Sequence, residues 1–260
     1  MSGARIAAIQ MVSGPEVGPN LAAAERLIAA AAAAGAQLAA LPENFYLIGR
    51  HETDKVAMRE PDGNGPIQAF LSSTAKKHRL WIVGGTAPIS TDDDKRIRGA
   101  CLVYDDSGKR VGRYDKMHLF RFENETERYD EARTLQPGTR PLALASPFGR
   151  LALSVCYDVR FPELYRGLGE FDVMFVPSAF TVPTGAAHWE TLLRARAIEN
   201  KAYVVAPAQG GTHPGGRRTW GHTMIVDPWG EILASRDEGE GIVMAEVDPA
   251  RLKEIRRRLN

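Results

Sequence analysis

Cys156 closes an apolar run, Leu151–Val155, and polarity begins at once after it with Tyr157-Asp158-Val159-Arg160. A side chain at such a junction leaves the sheet edge and faces a cleft, and the next backbone N–H groups point the same way. That placement suits a thiol nucleophile with an oxyanion donor beside it. A lone cysteine in an apolar strand is more often a small buried hydrophobe. Cys101, inside Ala100–Tyr104 with no polar break, reads that way. A free thiol, with a pKa of ~8.5, is mostly protonated at neutral pH and needs an adjacent base or cation. Six histidines are available, at 51, 78, 118, 188, 213 and 222. None has metal spacing, and two cysteines make neither a zinc pair nor a disulfide framework. Two other residues stand at junctions like that of Cys156. Glu43 follows the run Leu38–Leu41 and Pro42, and Lys116 follows Lys109–Asp115. A carboxylate just past a core strand lines a site, or caps or pairs locally. A lysine there is normally solvated.

Several elements must carry these residues. The alanine tract predicts a helix over Leu21–Ala34, capped by Asn20 and stopped by Gly35. Apolar stretches at Arg5–Met11 and Gln37–Leu41 flank it as strands, so the chain opens strand–helix–strand. Pro66–His78 reads as a helix with proline at its first position. Ala100–Tyr104 and Lys109–Tyr114 read as a hairpin around Asp105-Asp106-Ser107-Gly108. Leu80–Thr86, Leu151–Cys156, Val173–Val176, Tyr203–Ala206, Thr223–Val226, Ile232–Ala234 and Ile242–Val247 read as further strands. His188–Asn200 and Pro249–Leu259 read as helices. This makes about a dozen strands and five or six helices, with no linker rich enough to divide them. One α/β domain over residues 1–260 is expected. Two irregular stretches, near Phe120–Arg140 and Gln209–Trp220, are the expected site loops.

Composition bounds the class. Hydrophobic residues are 44 % and charged residues 25 %, the balance of a globular chain with a core. A formal net charge of +1 leaves no electrostatic footprint for nucleic acid or an anionic membrane. The longest apolar run, Leu27–Ala34, is far below the ~18 residues that cross a bilayer. Met1-Ser2-Gly3-Ala4-Arg5 lacks a signal-peptide layout. A soluble, cytoplasmic protein is expected.

The motifs around the three junctions are Leu41-Pro42-Glu43-Asn44, Arg113-Tyr114-Asp115-Lys116-Met117-His118-Leu119 and Cys156-Tyr157-Asp158-Val159-Arg160-Phe161-Pro162-Glu163. Pro177-Ser178-Ala179-Phe180, His188-Trp189-Glu190 and Gly221-His222 to Asp227-Pro228-Trp229-Gly230 follow in order. Over nearly its whole length the chain resembles the nitrilase, or carbon–nitrogen hydrolase, superfamily. The resemblance implies a four-layer α-β-β-α sandwich. It also implies a Glu–Lys–Cys triad with no metal and no cofactor: Cys156 as nucleophile, Glu43 as general base, Lys116 as the cation beside the oxyanion. Glu131, ahead of Pro137-Gly138, matches a further glutamate of the family, with Glu123, Glu125 and Glu127 as competitors. His188, Trp189 and His222 are expected to support walls or subunit contacts rather than to transfer protons.

Among the superfamily's members the details resemble the Nit amidases. Ala208-Gln209-Gly210-Gly211-Thr212-His213 resembles the branch that acts on deaminated glutathione, releasing 2-oxoglutarate and cysteinylglycine. The alternative within the group is an ω-amidase acting on 2-oxoglutaramate or another small linear amide or nitrile. Outside it stand a catalytically silent scaffold of the same fold and an unrelated α/β binding protein in which the three residues lie far apart. The expected substrate contacts are Tyr157, Arg160, Ser178, Phe180, His188, Arg217 and Arg218. Arg160 would hold the keto-acid carboxylate, unless it pairs with Glu163 or Asp158. Arg217 and Arg218 would face the cysteinylglycine end. The expected partner is a small-molecule amide, with no nucleic acid and no membrane. The expected assembly is a homodimer through the helices Pro162–Leu168 and His188–Asn200.

Overall fold

Along the first strand Ile6 and Ala8 face one way and Ala7 and Ile9 the other, and all four are fully buried. A strand with two buried faces lies in a sheet covered on both sides. The computed structural model, which describes residues 3–125 and 128–259, shows what covers it. In chain order the elements are β1 (Ala4–Gln10), α1 (Val17–Ala33), β2 (Leu38–Ala40), α2 (Asp54–Ala57), α3 (Pro66–His78), β3 (Trp81–Val83), β4 (Ala87–Ser90), β5 (Ile97–Tyr104) and β6 (Arg110–Asp115). Then come β7 (Arg121–Glu123), β8 (Arg128–Asp130), β9 (Leu142–Ser146), β10 (Gly149–Leu153), α4 (Pro162–Arg166), β11 (Val173–Phe175), α5 (Val182–Asn200) and β12 (Tyr203–Ala206). The chain closes with β13 (Gly210–Thr212), β14 (Arg218–Trp220), β15 (Thr223–Val226), β16 (Ile232–Arg236), β17 (Gly241–Val247) and α6 (Pro249–Arg258).

Two sheets carry the fold. One has the order β17-β1-β2-β3-β5-β4, with β6 also paired to β5. The other runs β16-β15-β12-β11-β10-β9. Ile6, Ala8, Val83, Val103 and Tyr114 of the first pack with Leu151, Leu153, Val173 and Phe175 of the second in one core. The opposite face of the first sheet, with Ala7, Ile9, Ala39 and Leu102, packs on Leu27, Ile28 and Ala31 of α1 and Leu71 and Ala75 of α3. Helix α5 covers the second sheet through Trp189, Leu193 and Ala197. The layers are therefore helix, sheet, sheet, helix, as the family resemblance implies.

Strand direction gathers the functional residues at one end. β2 and β3 run parallel, β5 is antiparallel to β3, and β6 is antiparallel to β5, so β6 runs with β2. Their carboxyl ends deliver Glu43 and Lys116 to the same edge. In the facing sheet β10 and β11 run parallel and end just before Cys156 and Ala179. Clefts at the carboxyl ends of strands are where open α/β sheets place their ligands.

Several local expectations are corrected. Asn20 does not cap α1, which starts at Val17. It lies inside the helix, where its side-chain amide accepts from Gly14 N–H and donates to the carbonyls of Gly14 and Tyr46. Gly35 does stop that helix, at φ 85°. Helix α5 begins six residues before His188, with proline in its first turn. Neither expected site loop is wholly irregular: each holds a short hairpin, β7–β8 or β13–β14. Such three-residue polar strands carry too few residues to show a period.

The β13–β14 hairpin is fastened from below by His213, which is 1 % exposed. Its Nδ1 faces the Ser13 carbonyl at 2.9 Å, which can only accept, and its Nε2 faces Thr219 Oγ1 at 2.7 Å. Nδ1 therefore carries a proton, and the Thr219 hydroxyl can donate to Nε2 when the ring is neutral. Burial, with a smaller push from the nearby Arg217 charge, lowers its pKa to about 4. The unfolded chain therefore takes up this proton first, and the stability it represents is full above the ordinary value of 6.5 and is lost as pH falls toward 4. In denaturant titrations the wild type should lose about 1.4 kcal/mol per pH unit across that window relative to His213→Gln. Parallel stability curves for the two proteins would contradict this.

Candidate active site

Cys156 opens a 3-10 turn, Cys156–Arg160, three residues beyond the end of β10. It sits at φ 51°, in the left-handed region that residues with a Cβ avoid. Such strain costs on the order of 1–3 kcal/mol and persists where the surroundings over-determine it. Here the surroundings are identifiable. Cys156 N–H donates to Pro177 O at 2.9 Å, and Arg196 of α5 donates through Nε to Val159 O at 2.8 Å. Among the described residues the Tyr157 amide has no acceptor outside its own turn. It is a free donor next to the sulfur.

Lys116 is 1 % exposed and its ammonium lies between two carboxylates. Nζ donates to Glu43 Oε1 at 2.8 Å and reaches Glu131 Oε1 at 2.9 Å and Oε2 at 2.7 Å. Glu131 also accepts from Phe120 N–H at 2.7 Å, which closes the segment back onto the strand end. Of the four glutamates weighed for this place, Glu131 is the one in contact; Glu123 and Glu125 are exposed, and Glu127 lies outside the described residues. The Glu43 carbonyl is held by Gln209 Nε2 at 3.2 Å, and the next amide, Asn44 N–H, donates to Thr86 Oγ1 at 2.9 Å. Glu43, Glu131 and Cys156 line one cleft, which excludes a fold that keeps the three junction residues apart.

Burial opposes the charge on Lys116, but the pull of Glu131 and Glu43 outweighs it and holds the pKa well above the usual lysine value. The Cys156 thiol moves up as well, chiefly through burial and then through Glu43, with Lys116 opposing. The neighbouring cation therefore does not make a standing thiolate. Attack by the sulfur would then need a base to remove its proton, and Glu43 and Glu131 are the carboxylates that share the cleft with it.

A buried carboxylate ties the two catalytic segments together. Asp158 Oδ2 accepts from Tyr114 O–H at 2.7 Å and Val155 N–H at 2.8 Å. Its Oδ1 accepts from His118 N–H at 2.9 Å and from His118 Nδ1–H at 2.7 Å. Tyr114 and His118 flank Lys116 by two residues on each side, and Val155 precedes Cys156. One side chain thus fixes the distance between the ammonium and the sulfur. Sequence reasoning missed it, and missed Gln209, because their partners are remote along the chain.

The cleft has two lobes that share Phe120, Cys156 and Ala179. One is walled by Tyr157, Arg160 and Phe180. Arg160 pairs with neither Glu163 nor Asp158; it lies 5.6 Å over the rings of Tyr157 and Phe180 and meets His188 Nδ1 at 3.1 Å. The other lobe holds Glu43, Glu131, Glu52, Lys55, Tyr129 and Arg217. Three expected contacts fall outside both lobes. Ser178 is fully buried, with its hydroxyl donating to Val176 O and its backbone paired to Pro207 and Gln209. Arg218 is exposed on β14, because neighbours in an extended chain point oppositely and Arg217 takes the inward side. His188 is exposed and touches the lobe only through Arg160. His222 stacks on Trp220, and its carbonyl accepts from Trp189 Nε1, a wall-building role. Among the described residues no group of three or more His, Cys, Asp or Glu could hold a metal ion, and no helix is long and apolar enough to cross a membrane.

A four-layer sandwich with this Glu–Lys–Cys cluster defines a class, and the chain belongs to the carbon–nitrogen hydrolase family, whose model matches residues 5–257. It is 44 % identical over 260 residues to the deaminated glutathione amidase of Synechocystis sp., covering 97 % of this chain and 94 % of that protein. It is 37 % identical to the deaminated glutathione amidase of Homo sapiens, over 98 % of this chain and 80 % of that one. Among solved structures it superposes on the Caenorhabditis elegans NitFhit protein with a TM-score of 0.89 at 36 % identity, spanning all of this chain and 64 % of that longer one. Saccharomyces cerevisiae Nit3, of branch 10 of the nitrilase superfamily, gives 0.88 at 29 % identity over 99 % and 94 %.

If Asp158 sets the spacing of sulfur and ammonium, Asp158→Asn should lower kcat by about two orders of magnitude with a KM change of less than about threefold. It should also slow iodoacetamide alkylation of Cys156. Wild-type alkylation and kcat in the folded variant, with only a lowered Tm, would reduce Asp158 to a purely structural residue.

Proposed function

We propose that this chain is a thiol amidohydrolase that cleaves 2-oxoglutaryl-cysteinylglycine, deaminated glutathione, to 2-oxoglutarate and cysteinylglycine. The observation that carries the reading is the placement of Cys156, beside the Lys116–Glu43–Glu131 cluster, at the junction of two lobes that each contain an arginine. Relatives named for this activity support the choice of substrate. A protein without catalytic function would have no need to keep a nucleophile in a strained turn.

In the mechanism Cys156 Sγ attacks the amide carbonyl while Glu43 takes the thiol proton. The oxyanion forms between the Lys116 ammonium and the Tyr157 N–H; such donors are worth ~10²–10³ in rate each. The carbon–nitrogen bond breaks as Glu43 returns the proton to the departing amine, leaving a thioester on Cys156. Water then attacks the thioester, Glu43 accepts its proton, and the carbon–sulfur bond breaks to release the acid and restore the thiol. Glu131 keeps the ammonium in place. Arg160, pinned by aromatic faces on two sides, receives the keto-acid carboxylate, and Tyr157 and Phe180 wall the acyl chain. Arg217 faces the leaving dipeptide.

We read residues 1–260 as one catalytic domain of a cytoplasmic homodimer. Support for the assembly comes from α5, where exposed Ile198 lies against the Asp227–Gly230 turn that carries exposed Trp229. Adjacent exposed apolar side chains of this size suit a subunit contact.

The reading predicts that kcat/KM for deaminated glutathione exceeds that for 2-oxoglutaramate by more than about tenfold, or ~1.4 kcal/mol of transition-state binding. Arg217→Ala should narrow the ratio, Arg160→Ala should weaken both substrates, and Cys156→Ala should abolish turnover of each. A wild-type preference for 2-oxoglutaramate would make the protein an ω-amidase with the same triad. Turnover by pure Cys156→Ala would remove the nucleophile assignment.

A further inference from the structure

Among the described residues two guanidinium Nε atoms are buried without an acceptor, those of Arg160 and Arg217. One stands in each lobe, with Cys156 between them. A buried charged donor left unpaired is costly, so its persistence at a cleft needs a reason. Arg217 is held over the Tyr129 ring at 5.1 Å, and its Nη1 lies 3.6 Å from Glu52 Oε1, too far for a hydrogen bond. Its fork is oriented and unspent. Beside it Lys55 Nζ, on a side chain 11 % exposed, lies 2.9 Å from Glu52 Oε2. The inner half of this lobe sets two carboxylates against the one ammonium of Lys116 and repels an anion. The outer half sets two cations against Glu52 and attracts one.

We propose that Lys55 and Arg217 form a carboxylate subsite on the leaving-group side of Cys156, and that Glu52 is an internal anion that sets its strength. This rests on the reading above, in which Arg160 takes the acyl end. Burial opposes ionisation of Glu52, but Lys55 and Arg217 outweigh it and hold the carboxyl below the usual range, so it competes as a charged group. An arriving carboxylate accepts from Arg217 Nε and one Nη together and shares Lys55 with Glu52. The favoured substrates are amides with a carboxylate beyond the nitrogen, N-acylated amino acids and dipeptides, over primary amides. Glu52 keeps the anionic amine product from binding too tightly to leave.

The test compares 2-oxoglutaryl-cysteinylglycine with the same compound carrying a carboxamide at its glycine end. The quantity read is the acid-to-amide ratio of kcat/KM in wild type, Glu52→Gln and Lys55→Met. The ratio should exceed one in the wild type, rise about three- to tenfold in Glu52→Gln and fall by a similar factor in Lys55→Met. A structural role would move both substrates together. Ratios within about twofold of the wild type, or shifts of the same sign in both variants, overturn the subsite. If the wild type hydrolyses neither compound, the substrate reading fails and the subsite is read by binding of serylglycine and serylglycinamide. The free acid should then bind tighter, with the gap widened in Glu52→Gln and closed in Lys55→Met. Equal binding of both dipeptides to all three proteins overturns it.

Discussion

One ammonium group, Lys116 Nζ, holds the site together. It is withdrawn from water and shared by carboxylates from two other parts of the chain, Glu43 past β2 and Glu131 in the segment after β6. Removing one partner of a buried ion pair typically costs ~3–5 kcal/mol, because the remaining charge is stranded. Here loss of the lysine would strand two carboxylates. The chain on either side of Glu131 therefore folds back over the strand end; Gly138 N–H donates to Lys116 O, and Phe120 N–H donates to Glu131. The same cluster decides the chemistry. With two carboxylates around one cation, the surroundings of Cys156 disfavour a standing thiolate. Attack has to be coupled to proton removal, and in the proposed mechanism the carboxylate that forms the ion pair also takes the proton.

The second constraint is the φ of 51° at Cys156. The turn after β10 holds it through contacts from both sheets and from α5: Pro177 O on the Cys156 amide, Asp158 on Val155, Tyr114 and His118, and Arg196 on Val159. His118 is also stacked on Phe161, with ring centroids 3.6 Å apart. These contacts aim the sulfur and the Tyr157 amide at the same space.

Glu43 and Cys156 were legible in the sequence because each follows an apolar run that a buried strand requires, and Lys116 because it follows the returning strand of a hairpin. Strand direction, which brings these ends to one edge, comes from the sheet pairing rather than from the sequence pattern. Ser178 was misjudged by one residue, since Ala179 lines the cleft instead, and of the expected pair Arg217 and Arg218 alternation along extended backbone turns only Arg217 toward it. Asn20 looked like a cap because it precedes an alanine tract, whereas its amide bonds to Gly14 and Tyr46 across a loop. Asp158 and Gln209 stood in the quoted motifs without a role because their hydrogen-bond partners are remote along the chain, and Glu52 and Lys55 read as an ordinary local pair until Arg217 of a distant hairpin is placed beside them. The free thiol was expected to need an adjacent base or cation; burial and the two glutamates outweigh the one lysine, which leaves the base.

The central claim is that Cys156 carries the acyl half of the substrate as a thioester. It is tested most directly by acid-quenching the wild-type enzyme in the first turnovers with deaminated glutathione and measuring the mass of the peptide that contains Cys156. A gain equal to one 2-oxoglutaryl group, lost on treatment with hydroxylamine and absent when the substrate is withheld, is the result expected. An unmodified Cys156 peptide under conditions where the acyl group is found on another residue, or an adduct of the cysteinylglycine half, would contradict it.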